Sequence, residues 1–89
     1  MTLVVPQIHA NGTPPGDLVD RLENVWLTLQ EAYRRLRLCA PNSRDYAGMD
    51  NYQAAVKQHN ERFRAIQTLQ ADLEREIGEI NKQTGASWL

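Results

Sequence analysis

Apolar residues recur along most of this chain at alternating steps of four and three, the spacing of amphipathic helices. The first run is Leu18, Leu22, Val25, Leu29, Ala32, Leu36 and Cys39. A second row, Val19, Trp26 and Tyr33, repeats every seven residues beside it. That makes the apolar face wider than one partner helix needs. The second run is Tyr52, Val56, His59, Phe63, Ile66, Gln70, Leu73, Ile77 and Ile80, with His59 and Gln70 as its polar members. Polar residues at such core positions commonly set register. Both are read that way, with the His59 ring packed between the helices near Ala32 and a ligand role as its rival.

Turn chemistry sets the expected boundaries. Asn11-Gly12 marks a turn, Thr13 suits an N-cap, and Pro14 suits the first helical position, where no N–H is needed. Pro41 blocks continuation and pushes Ala40 out of helical geometry. Asp50 with Gln53 resembles a capping box, and Gly85 suits the stop. The prediction is an extended arm over 1–12, a helical hairpin over 13–84 and a tail over 85–89. Within the hairpin the helices span about 14–39 and 51–83, joined by a connection over 40–50. Gly78 lies inside the second helix at a cost of about 1 kcal/mol relative to Ala. The fold class is all-α: a long antiparallel helical hairpin that assembles into a four-helix bundle.

Heptad phase places Leu36 near Val56, Leu29 near Phe63 and Leu18 near Leu73, so facing numbers total about 91. The second helix then overshoots the first at the open end by about two turns, carrying Ile77 and Ile80. The arm, Leu3-Val4-Val5-Pro6-Gln7-Ile8, is a candidate cover for them. Val19, Trp26, Tyr33, Leu69, Ile77 and Ile80 form the expected oligomer interface, because a lone hairpin has nothing to lay over Trp26, Tyr33 and Leu69.

Charge changes this picture more by distribution than by total. The net charge of −1 argues against bulk attraction to nucleic acid. Residues 17–31 balance to −3, 32–64 to +4 and 65–89 to −2. A hairpin converts that into a rod with a basic connection end and an acidic open end. Two such rods are expected to lie head to tail as a homo-oligomer, most simply a two-fold dimer. Cys39 is the lone cysteine, which excludes a disulfide within the chain and suits a reducing compartment. No secretory signal and no membrane-length apolar run is visible, so the expected location is the cytoplasm, that of the host cell if the protein is viral.

The sequence offers no catalytic constellation. Ser43 and Ser87 lie outside the predicted helices, and His9 and His59 are far apart. Glu-x-x-His, His-x-x-x-His and Cys-x-x-Cys spacings are absent, as is a glycine-rich phosphate loop. The expectation is a protein that is not an enzyme and uses no metal and no cofactor. Two loops remain as candidate binding segments. His9, Asn11, Gly12 and Thr13 precede a helix start, whose free N–H groups and dipole suit an anion; a plain cap and turn uses the same residues. In the connection, Arg44 is placed to fork onto a phosphate or carboxylate, and Tyr46 to stack on a flat ring. The alternative there is a turn in which Arg44 pairs with Asp45 while Tyr46 closes the hairpin's end.

Ile8-His9-Ala10-Asn11-Gly12-Thr13, with Ala40-Pro41-Asn42-Ser43-Arg44-Asp45-Tyr46, resembles a group of small helical proteins of bacteriophages and prophages. Those proteins have a similar His-x-Asn-Gly-Thr entry and Ala-Pro-Asn-x-Arg-Asp-Tyr connection. The likeness spans roughly residues 7–80. This chain departs at Pro14, where the group tends to have Ser after Thr, and at Ala47, where a second Tyr is usual. The resemblance implies a viral accessory protein and names no activity. The leading expectation is a non-enzymatic binding protein, a host-defence inhibitor that sequesters a nucleotide-like anionic signal or docks on a defence protein. A structural or assembly role in virion building is the alternative. Nucleic-acid binding through Arg34, Arg35, Arg37 and Arg44 is a third reading, which net charge opposes.

Overall fold

The computed structural model describes residues 3–85. Two helices, α1 (Pro15–Leu36) and α2 (Met49–Thr84), form an antiparallel hairpin. Short 3-10 turns at Arg37–Cys39 and Ser43–Asp45 bridge them. The molecule is a rod of 60 × 26 × 24 Å. Among the described residues there is no strand, and no helix is long and apolar enough to cross a membrane.

The helix ends differ from expectation in ways the backbone explains. Pro14, not Thr13, is the N-cap of α1, and Pro15 takes the first helical position. Either proline fits there, since each supplies a helical φ and no N–H. The Pro14 carbonyl accepts from the amides of Asp17 (3.1 Å) and Leu18 (3.2 Å). At the other end the α-helix stops at Leu36, three residues short of Cys39, and tightens into the 3-10 turn ahead of Ala40 and Pro41. Helix α2 starts at Met49, so Asp50 is no cap but lies in the first turn, where a carboxylate suits the dipole. Gly48, at φ +85, makes the sharp entry that a side chain would resist. Gly85 closes α2 in the left-handed conformation, its N–H donating to Lys82 O at 3.3 Å.

The seam itself is rotated from the predicted one. Val25 is 46% exposed, and Ala32 and Cys39 are exposed as well. Val19, Trp26 and Tyr33, which the sequence left for a second chain, are half-buried beside Leu22, Leu29 and Leu36. Tyr33 packs on Phe63 with ring centroids 4.7 Å apart, at the position where heptad phase sets Leu29. Large aromatic rings gain far more from burial than Val or Ala, and the helix turns to bury them. Gln70 Nε2 donates to Trp26 O (3.4 Å) and Gln30 Oε1 (3.1 Å). With Tyr33 on Phe63, these pairs place facing residue numbers at totals of 96 to 100. The shift from about 91 removes the expected overhang at the open end. It moves the surplus of α2 to the connection end, where Tyr46 lies 6.3 Å from Tyr52, ring to ring.

At the open end the arm folds back along α2. The Gln83 carboxamide clamps it from both sides: Nε2 donates to Pro6 O and Oε1 accepts from Ile8 N–H, each at 2.8 Å. Leu3 and Val5 lie over the stretch from Leu69 to Lys82. Ile80 is 0% exposed, the most buried of the large side chains among the described residues. Its burial is complete within one subunit, so it leaves no surface for the oligomer interface to which the sequence assigned it. Ile77 is half-buried and Leu69 remains 44% exposed.

Candidate functional site

The two candidate loops sit at opposite ends of the rod, separated by all of α1, or about 33 Å at 1.5 Å per residue. One chain therefore does not bring them together. In the entry loop, Gly12 N–H donates to His9 O at 3.1 Å and closes a tight turn. The His9 ring folds back over Gly12, where an added Cβ would come within 2.9 Å of its Nε2. Asn11 and Thr13 are exposed. The helix start offers an anion little: Pro14 and Pro15 have no N–H, the Asp17 amide is bonded to Pro14 O, and the Asp17 carboxylate adds negative charge. The turn reading accounts for Asn11, Gly12 and Thr13 without a ligand.

The connection is better furnished. Asn42 Oδ1 accepts from Arg44 N–H (3.2 Å), while Asp45 N–H donates to Asn42 O (3.0 Å) and Tyr46 N–H to Ser43 O (3.3 Å). This backbone net holds the short turn and leaves the Arg44, Asp45 and Tyr46 side chains exposed. The alternative Arg44–Asp45 ion pair is not formed among the described residues. Tyr46, 39% exposed, leans on Tyr52 with the rings tilted by 51°.

Charge accumulates at this end without internal partners. Arg34 and Arg35 share Glu31. Arg35 holds the Glu31 carboxyl below its ordinary pKa by hydrogen bonding, and Arg34 adds to this by charge. Arg37, Arg44, Lys57, Arg62 and Arg64 make no ion pair among the described residues. Lys57 and Arg64 flank an open surface hollow of about 480 Å³ on α2, with Tyr52, Val56 and Asn60 along it. Sequence reading missed this hollow. The signal was Lys57, Asn60 and Arg64 at steps of three and four, a polar row on one helix face that reads as ordinary solvated surface.

His59 is buried and packs edge-on against Phe63, centroids 4.6 Å apart, while Ala32 is exposed. Among the described residues no group of three or more His, Cys, Asp and Glu is placed to hold a metal. A second groove, of about 280 Å³, opens between the helices nearer the open end. Trp26, Leu27 and Ile77 form it, with Glu23 and Glu74 beside them. The Trp26 Nε1 donor is buried there without an acceptor. No protein-family model, no curated protein and no solved structure matches this chain.

Proposed function

We propose that this protein is a non-enzymatic binding protein that works as a homo-oligomer and holds an anionic, ring-bearing ligand of the nucleotide class at its connection end. The observation that carries the reading is Arg44 exposed in the same turn as Tyr46, whose ring leans on Tyr52, with Lys57 and Arg64 flanking the hollow that Tyr52 also lines; none of these three cations is in an ion pair among the described residues. Guanidinium groups fork onto phosphate oxygens, and an exposed tyrosine face stacks on a base. In a head-to-tail pair the His9–Thr13 entry of one copy lies toward the Arg44-Asp45-Tyr46 connection of the other, and the connection, not the entry, holds the anion. The resemblance to phage and prophage proteins makes sequestration of a host-defence signal the biological setting of this proposal, in the host cytoplasm.

Native mass spectrometry of the protein purified from cells tests the reading, because it reports subunit number and retained small molecule together. The expected result is an oligomer carrying a nucleotide-sized mass. Arg44→Ala and Tyr46→Ala should lose that mass and keep the oligomer. A monomer that retains nothing, and that ignores added nucleotides in titration calorimetry, would sink the proposal.

A further inference from the structure

Leu38 is 88% exposed and Leu27 is 60% exposed, a poor use of two leucines in so small a protein. Between them, at steps of four, three and four, lie Glu31 and Arg34. All four share one stripe of α1, because residues three and four apart stack on one helix face. The 3-10 turn continues that course through Leu38, with Leu36 and Arg37 both at right-handed helical angles. Along the stripe the order is apolar, acid, base, apolar. Rotated by a two-fold axis between Glu31 and Arg34, the stripe complements itself: Leu27 meets Leu38, Glu31 meets Arg34, and each contact occurs twice.

We infer that this stripe, Leu27-Glu31-Arg34-Leu38, is the docking face for a second copy of the chain, paired antiparallel through α1. This deepens the homo-oligomer proposed above and rests on it. An isologous interface demands such self-complementarity, in which residue i meets j and j meets i. A parallel pairing in register would instead set Glu31 on Glu31 and Arg34 on Arg34, which repel. The groove beside Leu27 fits the same partner. Trp26, Leu27 and Ile77 offer an apolar floor to the incoming Leu38, and Glu23 and Glu74 offer carboxylates to the Arg37 that precedes it. Arg37 has no ion pair among the described residues to give up. The stripe runs from Leu27 to Leu38, eleven helical rises or about 17 Å, which places the contact at the small, transient end of protein interfaces. Association in the micromolar range is expected.

Sedimentation velocity over a concentration series, with circular dichroism as a check on folding, tests the face. Wild type should form a dimer, and Leu27→Asp and Leu38→Asp should each weaken it at least about tenfold, as loss of a central apolar anchor does. Glu31→Arg or Arg34→Glu alone should weaken it, and the two together should restore it. A wild-type dimer that both aspartate variants keep would overturn this face while leaving the oligomer reading intact. A chain that stays monomeric at every concentration overturns both. If an aspartate variant loses helicity, cross-linking decides. Leu27→Cys and Leu38→Cys chains, each also carrying Cys39→Ser, are mixed and treated with a short bis-thiol reagent. A joined pair supports the register, and its absence overturns it.

Discussion

Gln70 shows how one buried polar residue constrains the hairpin. Its carboxamide reaches the Trp26 carbonyl and the Gln30 side chain, both on α1. A slip of one turn would leave that amide buried and unpaired, at a cost of about 1–3 kcal/mol, so the polar position restricts register more than it adds stability. Glu31 acts on the outer face. Its carboxyl is held below the ordinary value, first by the Arg35 hydrogen bond and then by the charge of Arg34. A carboxylate depressed on folding stabilises the protein above its unfolded pKa, and that contribution is lost as pH falls through the folded one. The pair is exposed, so the effect is small. Glu31→Gln should therefore melt slightly below wild type at neutral pH, with the two curves converging as pH falls below the carboxylate range. A gap that persists unchanged in acid would show that the Glu31 charge contributes nothing.

The arm is the element whose role the structure raised most. The sequence offers it only as a candidate cover for Ile77 and Ile80; in the structure Gln83 clamps it at Pro6 and Ile8, and Ile80 is fully buried. Ile80→Ala should cost about 3 kcal/mol, in the usual range for truncating a buried isoleucine. Gln83→Ala removes the clamp but little apolar surface. Its expected signature is faster hydrogen exchange at Ile8 with the exchange of mid-α2 amides unchanged. Equal acceleration in both places would mean that the arm and the hairpin open as one unit.

At the scale of the molecule the register shift matters most. With α2 running past α1 at the connection end, Lys57, Arg62 and Arg64 share the basic half of the rod with Arg37 and Arg44, in a protein whose net charge is −1. The rod is polarised, basic where the Tyr46–Tyr52 pair lies and acidic where the arm is clamped. Unlike ends attract only over the screening length, about 8–10 Å at ordinary ionic strength. Raising salt should weaken self-association measurably, and titration by ultracentrifugation at several salt concentrations reads the slope. Association that strengthens steadily with salt would mean that apolar contact alone drives it.

Heptad spacing was enough to define two long helices, their antiparallel pairing through a short connection, and Gly85 as a stop, because those features follow from local periodicity and backbone chemistry. The charged rod and the exposed Arg44 and Tyr46 were legible for the same reason. Which of two adjacent apolar rows faces the partner was not. Leu18-Val25-Ala32 and Val19-Trp26-Tyr33 are both valid stripes, one residue apart, and only the competition for buried area between the helices selects the aromatic one. Register followed from that choice, through Tyr33 on Phe63 and Gln70 on Trp26. The hollow at Lys57 and Arg64 was not legible either, because its residues read as an ordinary solvated row on α2. Periodicity describes one helix at a time, and the phase between two helices is a property of their contact.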